Sequence, residues 1–459
     1  MGMRTVDVDV SPLQALAAEL DEVAARRLEA GAQRARTLLA GRTVWNVSAP
    51  DGGVAELLRT LLPYARDAGV DARWVVLDAD LAFVRIATRL HHVLHADPGD
   101  GGELGAAEQA HYDRTLAANF EEVREELAPG DVVILHDPAT AGLATGLKTR
   151  GVHVVWRCHV GADIPDGVTD RGWAFLEPAL EKVDRVVLSR AGYRPGFLDE
   201  ALVRVIPPSV DPLSPKNRRL DRHEVIDLLR GAGLLGQPGD EAAAGTPGAG
   251  AARAGGPVPP HARVVLQVSR WDRLKDMTGV LIAFDEGFDA LPEDVHLVLA
   301  GPDAVPTADG VLDGCLQIWS GLDADVRRRV HVACVPTRDP AHNALVVNAL
   351  QRHASVVVQK SLAEGFGLTV TEALWKARPV VASAVGGIRD QIEDGTNGLL
   401  LPDATDLEGL VQRVCRLLAE PAFARQLGTA AHDRVRREFL SDRHLLQYVD
   451  LLEELLQRP

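Results

Sequence analysis

The chain is poor in the residues that staple or anchor a fold. Its 459 residues include only four cysteines, Cys158, Cys315, Cys334 and Cys415. They are far apart and form neither a CxxC pair nor a Cys/His metal spacing, which argues against a zinc module or a disulfide framework and fits a reducing cytoplasm. Long apolar runs are also missing. None approaches the ~20 residues that span a bilayer, so a soluble, cytoplasmic protein without a membrane partner is expected. Positive charge is in deficit: the net charge of −16 leaves no general basic face for nucleic acid or an anionic membrane. A local phosphate pocket remains compatible with that balance.

Apolar residues are plentiful. At 46% hydrophobic, and longer than one core usually grows, the chain is expected to build two domains of about 200 residues each. Residues 13–39 carry charges throughout and read as one amphipathic helix rather than a signal peptide. From 42 to 189, short apolar runs at 43–47, 73–77, 132–135, 152–155 and 185–188 alternate with helical patterns. Near-continuous apolar strands of this kind imply a parallel sheet covered on both faces. The prolines of Pro207-Pro208-Ser209-Val210-Asp211-Pro212 suit a connection between domains. Residues 231–260 are dense in Gly, Ala and Pro and are expected to form a mobile insertion without chemistry. A second alternating series follows at 264–268, 295–299, 330–335, 355–358, 379–382 and 399–401, then helices at 406–419, 422–438 and 442–457.

The most informative stretch is Glu364-Gly-Phe-Gly-Leu-Thr-Val-Thr-Glu372. It follows the apolar run 355–358 and enters a helical pattern at 368–377. Glu364, Gly365 and Gly367 therefore fall in a strand-to-helix turn, where free backbone N–H groups favour an anion or an array of hydroxyl oxygens. Glu372 lies one to two turns into the helix, at a distance suited to a second part of the same ligand. Arg270 and Lys275, in Ser269-Arg-Trp-Asp-Arg-Leu-Lys-Asp276, place two cations at another strand-to-helix junction, a natural seat for a diphosphate. Asp51-Gly52-Gly53 opens a third such turn, through which a loop can pass close to phosphate. His136-Asp137 and Arg157-Cys158-His159 each put a histidine at the carboxyl end of a strand, where open α/β sheets bind their ligands.

These segments, in this order, resemble the retaining GT-B glycosyltransferases of family 4, most closely its trehalose-forming members. The shared phrases include Glu-x7-Glu, Arg-x4-Lys, GGVAE with Asp51 in place of a preceding glycine, HDP, WRCH and the loop Ala384-Val-Gly-Gly-Ile388. The resemblance implies a GT-B fold, with two Rossmann-like domains facing across a cleft and the C-terminal helices crossing back. The domains would be 1–207 for the acceptor, 208–440 for the nucleotide-sugar donor, and a helix at 441–459 packing on the first. It also implies transfer of glucose from a nucleoside diphosphate glucose to glucose, forming α,α-trehalose. Arg270 and Lys275 would stabilise the leaving diphosphate, Glu364 and His159 would contact the donor sugar, and Glu372 would hold the ribose. The backbone at Gly52, Gly53, Gly365, Phe366, Gly367 and Leu368 would complete the donor site, and His136 and Asp137 would orient the acceptor. No metal or other cofactor is expected, because Asp7-Val8-Asp9 and Asp78-Ala79-Asp80 fall outside the expected cleft. A homodimer is compatible with the sequence. The alternatives are a trehalose phosphorylase using glucose 1-phosphate and a non-catalytic nucleotide-sugar binding protein.

Overall fold

The computed structural model describes residues 3–49, 53–237, 252–303 and 310–457. The chain divides into two compact units, Met1–Asp211 with Phe439–Pro459, and Pro212–Glu438. Each is built on its own seven-stranded sheet.

In the first unit the strands are β1 (Arg4–Val6), β2 (Thr43–Ser48), β3 (Asp71–Val76), β4 (Val132–His136), β5 (His153–Cys158), β6 (Arg185–Leu188) and β7 (Val203–Val205), in the order β1-β3-β2-β4-β5-β6-β7. All pairings are parallel except β1, which adds antiparallel to β3. Alternate residues of one strand feed opposite cores: Val133 and Leu135 of β4 join one cluster, and Val132 and Ile134 join the other. The second cluster also contains Leu451, Leu452 and Leu455 from the C-terminal helix Ser441–Leu456.

The expected single helix over 13–39 is two, Leu13–Ala18 and Glu22–Leu38. Asp21 makes the break, since its carboxylate accepts from the backbone N–H groups of Val23 and Ala24 and so starts a new helix. Strands β1 and β7, three residues each and partly exposed, were not expected from the sequence.

The second unit holds β8 (Ala252–Ala254), β9 (Arg263–Val268), β10 (Val295–Pro302), β11 (Val330–Val335), β12 (Val356–Gln359), β13 (Val380–Ser383) and β14 (Leu399–Leu401), in the order β14-β13-β12-β9-β10-β11-β8. Here the expectation of a mobile 231–260 is corrected at both flanks. β8 pairs antiparallel with β11. Leu234, Leu235 and Val258 are buried, and the N–H of Gly236 donates to the Val258 carbonyl. His331 bonds the Gly256 carbonyl through Nδ1 at 3.0 Å. A few apolar side chains and a sheet edge offset the ordering entropy that the composition emphasised. The central part of that segment, 238–251, lies outside the described residues.

Candidate active site

In the second unit, the turn after β12 leads into the helix Leu368–Trp375. Gly367 caps this helix with φ +89°, a left-handed conformation that favours glycine. The loop after β13 presses on the turn so closely that a Cβ on Gly387 would lie 2.6 Å from the Phe366 Cα. Gln391 locks the two together: its Nε2 donates to the Phe366 carbonyl at 2.5 Å, and its Oε1 accepts from the Thr371 hydroxyl at 2.7 Å. The Phe366 ring is buried, so this residue offers a ligand only its backbone.

Glu364 stands at the mouth of the turn. Its Oε2 accepts from Lys275 Nζ at 2.6 Å and from the Ser361 hydroxyl at 3.3 Å. Lys275 is itself held in place, because its carbonyl accepts from Nε2 of the fully buried Gln267 at 2.7 Å. Arg270 diverges from this pair. Its side chain is 63% exposed and meets Asp272 at 3.2 Å. The structure therefore joins Lys275 to Glu364 and leaves Arg270 on the solvent side of the same turn. Deeper in the helix, the buried Glu372 faces Lys216 Nζ at 3.7 Å and Gln351 Nε2 at 3.5 Å.

In the first unit, the carboxyl ends of β4 and β5 lie side by side, His136 pairing in register with Arg157. The His136 and His159 rings stack with centroids 6.0 Å apart. Asn46 donates from Nδ2 to the Arg73 carbonyl, so its Oδ1 accepts from His136 Nε2 at 3.1 Å and the ring carries its proton there. Asp137 has φ 65° and ψ 173°, a region that is otherwise almost confined to glycine. Its carboxylate accepts from the His159 backbone N–H at 2.8 Å, and its own N–H donates to the Arg157 carbonyl at 2.7 Å.

Charge in this cluster is unusual. Burial, then the Arg157 guanidinium, pushes His136 down to about 3. Burial also holds His159 well below the usual imidazole range, with Arg157 and neighbouring histidines adding to the effect. Asp137 moves the other way: burial raises its carboxyl to about 6, against the opposing pull of the His159 N–H and Arg157. The rings are thus neutral at pH 7, and Asp137 is ionised.

Gly53 starts the helix Gly53–Asp67, and a Cβ there would meet nothing within 4 Å. Only a close ligand would require glycine at that position. Asp51 and Gly52 lie outside the described residues. No group of three or more His, Cys, Asp or Glu able to hold a metal ion occurs among the described residues, and no helix among them is long and apolar enough to cross a membrane.

Residues 45–195 match the family described as Trehalose synthase, N-terminal domain, and residues 262–420 match Glycosyl transferases group 1. The trehalose synthase of Pyrococcus horikoshii is 32% identical over 421 residues, 91% of each chain. The chain belongs to the trehalose synthase family. Its likeness to the Rubrobacter xylanophilus trehalose synthase, 32% over 454 residues, spans 97% of this chain and 99% of that one. Solved structures with the same GT-B fold include a UDP-forming α,α-trehalose-phosphate synthase from Burkholderia vietnamiensis, with a TM-score of 0.66 at 15% identity over 90% of this chain and 98% of that one. Another is sucrose-phosphate synthase from Thermosynechococcus elongatus, with a TM-score of 0.64 at 19% identity over 90% and 99%. At such identities the likeness establishes the fold.

Within this trehalose synthase family member, sequence reading passed over several residues that shape both sites. Lys360, 2% exposed, pairs with Asp276 beside the Lys275 turn. Arg157 is fully buried, with Nε and Nη1 lacking hydrogen-bond partners among the described residues. His444 and Tyr448, on the C-terminal helix, stack with centroids 5.4 Å apart, and the charge of Arg157 reaches both. No local motif marks these two, which come from the far end of the chain.

Proposed function

We propose that this protein transfers glucose, with retention, from a nucleoside diphosphate glucose to free glucose, forming α,α-trehalose. The observation that carries the reading is the Lys275–Glu364 pair, 2.6 Å apart at a glycine-capped helix start, with Glu372 further along the same helix. A donor needs those three chemistries in that sequence. A cation meets the diphosphate, a carboxylate meets the sugar hydroxyls, and a second carboxylate meets the ribose diol. On donor binding, Lys275 turns from Glu364 to phosphate, which releases Glu364 for the sugar. Arg270, exposed and on the same turn, swings in as the second cation. His159 contacts the donor sugar, while His136 and Asp137 orient the acceptor, Asp137 by accepting from its hydroxyls.

In the transfer itself, the bond from the anomeric carbon to the phosphate oxygen breaks and a bond to the acceptor oxygen forms on the same face. The departing phosphate takes the acceptor proton. With the leaving charge met by Lys275, Arg270 and helix N–H groups, no metal is required in this scheme.

The test is a panel of ADP-, UDP- and GDP-glucose with glucose as acceptor, following diphosphate release and disaccharide together, with and without EDTA. Expected is trehalose with at least one donor and insensitivity to EDTA. A relative named trehalose phosphorylase, from Grifola frondosa, is 24% identical over 386 residues, which cover 49% of that longer chain. Trehalose formed only from glucose 1-phosphate would move the assignment to the phosphorylase reaction, and binding without turnover of any donor would leave a sugar-nucleotide binding protein.

A further inference from the structure

Glu372 is embedded in a buried polar network whose other end is the segment that opens the second unit. Lys376, 4% exposed, donates from Nζ to Asn217 Oδ1 at 3.0 Å, to Gln351 Oε1 at 2.7 Å and to the Glu372 carbonyl at 3.2 Å. Gln351 then turns its Nε2 to Glu372 Oε2 at 3.5 Å. The backbone on either side of Lys216 is fastened as well: Asn348 Nδ2 donates to the carbonyls of Pro215 and Arg218, both at 2.9 Å, and Trp375 Nε1 to that of Asn217 at 3.2 Å. Lys216 therefore stands on a stem fastened on both sides, with its mostly buried side chain placing the ammonium 3.7 Å from Glu372 Oε1. That distance is an ion pair rather than a hydrogen bond. It supplies the compensating charge that a buried carboxylate requires.

We propose that Lys216 is a positioning residue for the ribose of the donor nucleotide. Its fixed ammonium orients the Glu372 carboxylate toward the 2′,3′-diol, and it thereby sets selection for ribonucleotides over forms lacking the diol. The inference rests on the reading of Glu372 given under the proposed function. Lys216 acts through Glu372 and does not touch the reacting atoms, so its loss belongs in donor affinity and not in the chemical step.

The experiment measures binding of ADP, UDP and GDP, each beside its 2′,3′-dideoxy form, to the full chain by calorimetry. In the wild type, at least one ribonucleotide should bind about tenfold or more tighter than its dideoxy form, the scale of charge-assisted hydrogen bonds. In Lys216→Met that ratio should fall to about twofold or less, because the carboxylate is no longer aimed. Lys216→Arg, which keeps the charge, should restore most of it. The donor KM should rise in Lys216→Met while kcat at saturating donor stays within about threefold. Because a ratio of affinities does not depend on the fraction of folded protein, partial misfolding of a variant cannot imitate the result. A ratio preserved in Lys216→Met would overturn the inference alone. A wild type indifferent to the diol for all three bases would overturn the ribose role of Glu372, and this inference with it.

Discussion

Asp137 is the residue at which this chain departs furthest from ordinary backbone preference. A non-glycine side chain in its φ/ψ region costs about 1–3 kcal/mol, and hydrogen bonds hold it there: one each through its own N–H and carboxylate, and three to its carbonyl, from Trp156 Nε1 at 3.0 Å, the Thr140 hydroxyl at 3.1 Å and the Thr140 N–H at 3.2 Å. In the proposed reaction its carboxyl, raised to about 6, accepts more strongly from an acceptor hydroxyl when ionised. The acceptor KM should therefore climb as pH falls through about 6, and Asp137→Asn should raise KM and flatten that dependence; an acceptor KM independent of pH in the wild type would remove Asp137 from acceptor binding. The stability sign follows from the same shift. The folded value lies above the unfolded one of about 3.9, so this carboxyl's contribution is present at low pH and is lost as pH rises through about 6. Arg157 beside it has no carboxylate partner among the described residues, and its Nη2 reaches only Ser189 Oγ at 3.4 Å. Replacing a buried guanidinium that makes no direct ion pair by an apolar chain of similar length relieves its desolvation cost and keeps most of its packing, against the loss of its attraction for Asp137. Arg157→Met should accordingly melt no lower than wild type at pH 7 while losing turnover, and a clear drop in Tm would show that the guanidinium is structural. This residue was hidden in the sequence for a specific reason. The apolar run of β5 was read as ending at Val155 and Arg157 was given no role, whereas the strand continues to Cys158 and buries it.

At the scale of elements, legibility followed apolar content and burial rather than length, since β14, an edge strand of three leucines, was readable. The parallel strands β2 to β6 and β9 to β14 were readable because both faces are buried and each strand is nearly all apolar. The edge strands β1, β7 and β8 have three residues each and owe their place to a neighbour's free edge, which composition does not report. β8 is the instructive case, since a Gly/Ala/Pro-rich segment still supplies a strand when an unpaired edge is available. Two excisions separate its parts. Replacing 238–251 by a short Gly/Ser linker should leave melting temperature and activity near those of the wild type, because loop closure changes only slowly with length. Replacing all of 231–260 removes β8, Leu234, Leu235 and Val258 from the second unit, and burial of each such large apolar side chain is worth about 1.5–3 kcal/mol. The second variant should melt clearly lower in a thermal scan. Equal melting of the two would mean that the ordered flanks contribute nothing.

The whole molecule does not follow chain order, since the last helix belongs with the first sheet. Leu446 packs on Gly31 so closely that a Cβ there would lie 2.2 Å from its Cδ2, and Arg34 pairs with Asp450 at 2.8 Å and Glu453 at 3.0 Å. The exposed ion pairs contribute little. The apolar contacts decide the matter, because Leu451, Leu452 and Leu455 enter the core that covers one face of the first sheet, together worth roughly 5–9 kcal/mol. That sum is of the order of a whole domain's stability, about 5–15 kcal/mol. Ending the chain at Glu438 should therefore unfold the sequence-distant first unit and spare the adjacent second one. Calorimetric melting should lose one component, hydrogen exchange should lose protection in β2 to β6 while keeping it in β9 to β13, and nucleoside diphosphate binding should persist with trehalose formation abolished. The milder variant Gly31→Leu, which wedges the same helix away without deleting it, should move the same component downward. If truncation lowered protection in the second unit and left the first intact, the C-terminal helix would be stabilising its neighbours in sequence, and the assignment of His444 and Tyr448 to the Arg157 cluster would fall with it.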